Sequence, residues 1–365
     1  MTKNVAIVGW RGMVGSVLMQ RMQEEGDLQK VNATLFSTSQ KGQKNDFYPE
    51  CTDTIGDSNN IEELKAMDII ITCQGGDYSK EIYPKLKAAN WNGYWIDAAS
   101  SFRMDEDATI ILDPLNMDVI KTDIANGIKK FIGGNCTVSL MLMGLGGLFK
   151  EGLVENLVSH TYQAASGAGA AAMMELLKQS NDITSKIDFD AMEALNAEKF
   201  VSHMLNSNEI NTEKFLAPLS YSLIPWIDSP MENGQTREEW KAMAEANKIL
   251  RTKNPIAIDG TCVRVPNLRC HSQAFTIRLT KSVELKTIEE IIGSHNDWVE
   301  FVPNNKEETL KKLTPAYVSG THRVPVGRVR KTNFGPLYLN AFSVGDQLLW
   351  GAAEPLRRML MILLD

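Results

Sequence analysis

Cysteine, histidine and long apolar stretches are all scarce in this chain of 365 residues. Five cysteines scattered over that length do not make a disulfide framework, which favours a reducing compartment. The five histidines, His160, His203, His271, His295 and His322, show no HxxxH or HExxH spacing, so no metal site is expected. The longest apolar candidate, Val138 to Phe149, falls short of the ~18 to 20 residues of a membrane span. It is also broken by Ser139, Gly144, Gly146 and Gly147. There is no Lys/Arg block, and 38 basic against 45 acidic side chains give a formal charge of −7. That balance lacks the footprint of a nucleic-acid binder. Met1-Thr2-Lys3 leads straight into a strand pattern, so no signal peptide is expected and the chain reads as cytoplasmic.

What is present is the composition of a globular enzyme, 43% apolar and 23% charged. At ~150 residues per domain the length suggests two domains. In the first third, short β-branched runs (Asn4 to Val8, Ala33 to Phe36, Asp68 to Thr72, Tyr94 to Ile96, Thr109 to Leu112, Lys129 to Gly134) alternate with amphipathic stretches such as Tyr78 to Ala89 and Asn116 to Ala125. That alternation predicts parallel βαβ units and a doubly wound, Rossmann-type sheet over residues 1–134. Residues 135–354 read as an α+β domain, with strands at Leu157 to Gln163, Ile256 to Val265, His271 to Leu279 and Arg323 to Arg330. Asn181 to Phe215 reads as helix and surface loop. A closing helix over 355–365, with Pro355 in its first turn, is expected to pack back on the first domain. There is no internal repeat.

Between the first strand and its helix lies Gly9-Trp10-Arg11-Gly12-Met13-Val14-Gly15, spaced G-x-x-G-x-x-G. Glycines there permit a tight turn, and the helix start offers N–H groups and a positive dipole to a pyrophosphate. Packing alone also places glycine in βα turns. The second strand ends Ser37-Thr38-Ser39-Gln40-Lys41, without the acidic residue that holds a ribose 2′-hydroxyl in NAD enzymes. Hydroxyls beside Lys41, with Arg11 nearby, suit a 2′-phosphate, so NADP is expected over NAD.

Gly133-Gly134-Asn135-Cys136-Thr137 places a cysteine at the start of a long helix, just past a strand end. A helix N-terminus lowers a thiol pKa and favours thiolate, although a lone cysteine can equally be a small buried apolar residue. A base is needed, and His271 opens the alternating strand His271 to Ile277. Alternation would send the Cys270 thiol to the opposite face from the His271 imidazole. Spacing alone leaves His271 open between a base and a structural histidine.

These segments closely resemble the bacterial aspartate-β-semialdehyde dehydrogenases, particularly the Gram-negative type. The resemblance runs nearly end to end through Gly9 to Gly15, Thr72 to Tyr78, Gly133 to Leu140, Tyr162 to Gly167, Arg237 to Lys241, Arg269 to Phe275 and Val344 to Gly351. It implies reversible, NADPH-dependent conversion of aspartyl-β-phosphate to aspartate-β-semialdehyde and phosphate, at the branch toward lysine, threonine and methionine. By that resemblance Cys136 is the acyl-thioester nucleophile and His271 the general acid/base. Gln163 orients the substrate, Arg264 clamps its α-carboxylate and Glu238 meets its α-ammonium. Arg103 and Lys241 hold the phosphate, with Asn135 beside the nucleophile. Arg11, Gly12, Met13, Val14, Thr38, Ser39, Gln74, the loop Ser166, Gly167, Ala168, Gly169 and Ala170, and Gln347 line the NADP site. A homodimer is implied, with a catalytic and dimerisation domain over 135–354.

Without the resemblance, Arg103, Glu238, Lys241 and Arg264 would read as surface charges or ion-pair members, and Glu238 and Lys241 as an i, i+3 surface pair. Two other functions compete. An N-acetyl-γ-glutamyl-phosphate reductase shares the Cys/His chemistry but takes an acylated amine. A non-catalytic dinucleotide sensor would keep the glycine turn without needing Cys136, His271, Gln163 and Arg264.

Overall fold

A computed structural model describes residues 2–365. Strands β1 (Asn4–Val8), β2 (Asn32–Ser37), β3 (Gly56–Asp57), β4 (Ile69–Thr72), β5 (Tyr94–Asp97), β6 (Ala108–Ile111) and β7 (Lys130–Gly133) form one parallel sheet, ordered β3-β2-β1-β4-β5-β7-β6. Helices α1 (Met13–Glu24), α2 (Ile61–Lys65), α3 (Gly76–Ala88) and α4 (Asp113–Ala125) alternate with the strands. The strands are near-continuous apolar runs because both faces are covered. Val5 and Ile7 share one buried cluster with Leu18 and Met22 of α1, while Ala6 and Val8 share another with Ile82 and Leu86 of α3. Strand order reverses at β1, which opens a crevice at the carboxyl ends of β1 and β4.

Helix α5 (Cys136–Lys150) follows β7 and is buried from Thr137 through Phe149. After it come β8 (Val154–Gln163), α6 (Ala170–Thr184), α7 (Ala194–Asn206), α8 (Arg237–Leu250), β9 (Ala257–Asp259), β10 (Cys262–Arg264), β11 (Cys270–Leu279) and α9 (Leu285–Ser294). The chain continues through β12 (Val299–Phe301), α10 (Lys306–Lys312), α11 (Pro315–Val318), β13 (Val324–Thr332), β14 (Gly335–Asp346) and α12 (Glu354–Leu364). The second sheet is mixed, ordered β10-β8-β11-β14-β13-β12, with β9 also beside β8. Leu140, Met143 and Leu148 of α5, Ile249 of α8 and Ile292 of α9 share a buried cluster with Phe275 and Ile277 of β11 on one face. On the other face, Val158 and Tyr162 of β8 remain exposed, and the Tyr162 ring lies 6.4 Å from that of Phe342. Leu356, Met359 and Leu360 of α12 join the cluster of Val5 and Ile7, and Pro355 occupies the first turn of that helix.

The single strand expected over 256–265 is two. Both β9 and β10 pair with β8, but the chain leaves it between them, where a Cβ at Gly260 would stand 1.9 Å from the Ser159 carbonyl oxygen. The 181–215 stretch holds the end of α6, a loop and α7, gathered on a small cluster of Ile183, Met204 and Ile210. Strand β14 lay outside the sequence reading, its apolar positions being interrupted by Pro336 and Asn340. Among the described residues no helix is long and apolar enough to cross a membrane.

Candidate active site

Cys136 opens α5 at the edge of a cavity of about 390 Å³ at the junction of the two sheets. Asn135 caps the helix, its Oδ1 accepting from the N–H groups of Thr137 and Val138 at 3.0 and 3.2 Å. Nε2 of His271 lies 3.2 Å from the Cys136 Sγ. His271 is fully buried on β11, and its Nδ1 accepts the Ala164 backbone N–H at 3.0 Å. A neutral imidazole whose Nδ1 is an acceptor carries its proton on Nε2, here aimed at sulfur. Burial, reinforced by Arg264, lowers the His271 pKa to about 3. Cys270 points elsewhere, into a cluster with Val318 and Val344.

Burial works against the thiolate that the helix N-terminus favours. Burial pushes the Cys136 thiol up to about 12 and Glu238 adds to the rise, against the opposing pull of Arg264, Arg103 and Lys241. Desolvation disfavours the charged form, and here it outweighs three nearby cations.

Glu238 and Lys241 of α8 line the cavity, and Glu245, at i+7 from Glu238, lies on the same helix face. A capping box of Thr236 and Glu239 starts that helix. Glu238 and Lys241 are not a surface pair: both are buried, with Lys241 Nζ 3.0 Å from Glu238 Oε2 and 2.7 Å from Asp228 Oδ2. Burial raises the Glu238 pKa, but Lys241, Asn135 and Gln163 together hold it below the usual range. Asn135 Nδ2 and Gln163 Nε2 both donate to Glu238 Oε1, at 3.0 and 3.3 Å. Arg264 is also buried; its guanidinium donates to the Ala164 carbonyl at 2.6 Å and, among the described residues, has no carboxylate in ion-pair contact.

Arg103 borders the same cavity but is heavily engaged. Its Nε donates to the Gly133 carbonyl at 2.7 Å and Nη2 to that of Gly134 at 3.1 Å, while Nη1 donates to Glu245 Oε1 at 3.1 Å. The second oxygen of Glu245 accepts the Asn135 backbone N–H at 2.7 Å. Glu245 thus ties Arg103 to the turn that carries the nucleophile. Sequence reasoning missed it, although its i+7 spacing from Glu238 was a readable signal. Asp228 and the Ala164 N–H left no such signal, since a loop and a backbone group bring them in.

The glycine turn is shaped by contact. A Cβ at Gly9, where φ is +76°, would come within 2.7 Å of Gln74 N, and one at Gly15 within 2.1 Å of Gly9 O. At Gly12 a Cβ would meet only Gly9 O, at an ordinary 3.4 Å. The open side of Gly12 borders a second cavity of about 350 Å³, together with Arg11, Thr38 and Gln74. Arg11 donates to Ser39 Oγ at 2.8 Å. Lys41 instead pairs with Asp57 at 2.7 Å, an acidic neighbour that pairing of β2 with β3 supplies beside Ser37. Val14, Ser166, Gly167 and Gln347 line the Cys136 cavity, and Gln347 Nε2 donates to Ser166 Oγ at 2.6 Å. Met13 packs against the core of the first sheet, whereas Ala168 and Ala170 are exposed, flanking Gly169 at the start of α6.

Comparison with known proteins identifies the family. The family model for the semialdehyde dehydrogenase NAD binding domain matches residues 4–123, and that for the semialdehyde dehydrogenase dimerisation domain matches 145–350. The aspartate semialdehyde dehydrogenase of Francisella tularensis is 50% identical over 100% of both chains, with a TM-score of 0.96. The chain belongs to the aspartate-semialdehyde dehydrogenase family. Aspartate semialdehyde dehydrogenase II of Vibrio cholerae, 25% identical over 100% of this chain and 98% of that one, superposes with a TM-score of 0.82. A Candida albicans aspartate semialdehyde dehydrogenase solved with NADP shares the fold, at 14% identity, a TM-score of 0.68 and coverage of 100% and 98%. The family thus keeps its two-sheet frame across wide sequence divergence.

Proposed function

We propose that the chain reduces L-aspartyl-4-phosphate to L-aspartate-4-semialdehyde, reversibly, through a thioester on Cys136. The observation that carries the reading is the pairing of opposite charges beside the nucleophile. Among the described residues buried Arg264 has no ion-pair partner, and Glu238 is held ionised, so a zwitterion can present its α-carboxylate to one and its α-ammonium to the other. An N-acetylated substrate would leave Glu238 without that partner, which disfavours the longer acyl phosphate. A non-catalytic sensor would have no use for a Cys136–His271 contact of 3.2 Å.

Gln163 orients the bound substrate, while Lys241, Arg103 and Asn135 border the place of its phosphate. Sulfur attacks the acyl carbon and the carbon–oxygen bond to phosphate breaks. The thiol proton departs with the phosphate, so the step balances. NADPH, when bound, supplies the hydride that reduces the thioester carbonyl. The His271 Nε2–H faces the sulfur and stabilises negative charge there when the adduct collapses to aldehyde. One proton enters from solvent for each aldehyde formed. In this reading His271 acts as a hydrogen-bond donor to the sulfur, in place of the general acid/base role that the resemblance implies.

The residues fit a dinucleotide: Gly12 leaves room for a pyrophosphate at the start of α1, and Arg11, Thr38, Ser39 and Gln74 gather at the β2 and β4 ends. Hydroxyls and Arg11 there favour NADP over NAD. Gln347 and Ser166 to Ala170 complete that site on the side of Cys136, with Met13 and Val14 at the helix start. We read residues 1–134 with the C-terminal helix as the cofactor domain and 135–354 as the catalytic domain. The exposed sheet face of Val158 and Tyr162 supports a homodimer, and five free cysteines suit a cytoplasmic setting. The test is NADPH formation from aspartate semialdehyde, phosphate and NADP. Cys136→Ala abolishes turnover and retains NADPH binding. An active Cys136→Ala enzyme, with acyl label on Cys73 or Cys270, would overturn the reading.

A further inference from the structure

Lys241 carries two carboxylates on one ammonium, and the two are held very differently. Glu238 is buried and anchored through its other oxygen by Asn135 and Gln163 at 3.0 and 3.3 Å. Asp228 lies on a solvent-facing loop, with its side chain 32% exposed and its backbone at φ +73°, in the left-handed region. Among the described residues its remaining oxygen accepts only the N–H of the next residue, Ser229, at 2.7 Å. Both Asp228 and Lys241 line the Cys136 cavity. A phosphate dianion brought to the Lys241 ammonium meets the Asp228 carboxylate as a like charge at short range. Of the two carboxylates, the partly exposed one turns to water with little desolvation to reverse, whereas the buried one cannot.

We infer that Asp228 is a built-in competitor of the phosphate: it pairs with Lys241 and must turn aside before phosphate can engage that ammonium. The inference rests on the reading of Lys241 as a phosphate ligand. Asp228 keeps a buried cation compensated and aimed between turnovers, and it weakens the hold on phosphate so that this product leaves. A residue that served only to support the loop would lower affinity when altered. A competitor raises it.

The experiment titrates inorganic phosphate into the full-length enzyme by calorimetry and measures the KM for phosphate in the direction that forms aspartyl phosphate. Asp228→Asn is expected to tighten phosphate binding about two- to tenfold, the span of a partly exposed ion pair, with the KM for aspartate semialdehyde unchanged. Asp228→Ser, which shortens the side chain as well, moves phosphate affinity the same way. Unchanged or weaker phosphate binding in these variants, with Lys241→Ala losing it, would overturn the inference alone. Undiminished phosphate binding in Lys241→Ala would overturn the phosphate reading of Lys241, and the inference with it.

Discussion

Ala164 presents its backbone N–H to Nδ1 of His271 at 3.0 Å, and this contact decides which side of the imidazole carries the proton. A proton on Nδ1 would point at another N–H, so both the imidazolium and the opposite neutral tautomer are disfavoured. The Nε2–H left facing Sγ at 3.2 Å stabilises charge on sulfur without first removing a proton from it. Two consequences for pH follow from the burial of this pair.

His271 titrates at about 3 when folded, below the 6.5 of a free imidazole. The unfolded chain therefore takes up this proton first as pH falls. The stabilisation is whole above pH 6.5 and drains away toward pH 3, at about 1.4 kcal/mol for each pH unit. Thermal melts from pH 7 to 4 should show a shallower acid slope in His271→Asn than in the parent. Identical slopes would mean that the imidazole is not held neutral.

A thiol titrating at about 12 is mostly protonated at neutral pH. Alkylation of Cys136 by iodoacetamide in the ligand-free enzyme should rise about tenfold per pH unit from pH 7 to 10, with no plateau. A plateau below pH 8 would reveal a preformed thiolate and restore the helix N-terminus as the dominant influence.

Arg264→Lys keeps the charge but loses the planar fork. If Arg264 grips the α-carboxylate, kcat/KM toward aspartate semialdehyde falls about ten- to a thousand-fold, from ~1.5 to 4 kcal/mol of lost bonding and alignment with Cys136. NADP affinity stays as it was. A folded variant with near-normal kinetics would defeat the carboxylate role.

For the cofactor, we expect NADP to be clearly preferred over NAD. Thr38→Asp should erode that preference by repelling the 2′-phosphate. Comparable kcat/KM with both cofactors in the parent would count against the assignment. So would an unaltered ratio in the variant.

Local chemistry was legible in the chain itself. The turn from Gly9 to Gly15 is a matter of adjacent residues and backbone room, and the position of Cys136 just past a strand end follows from the periodicity on either side. The alternation of β11 correctly separated the Cys270 thiol from the His271 ring. What only the tertiary structure decided are contacts between distant segments: Glu245 reaching the turn before Cys136, Asp228 on Lys241, Asp57 taking Lys41, and Ala164 setting the His271 tautomer. The protonation of Cys136 belongs with these. A helix N-terminus can be read from sequence, but the desolvation that opposes it depends on everything packed around the sulfur.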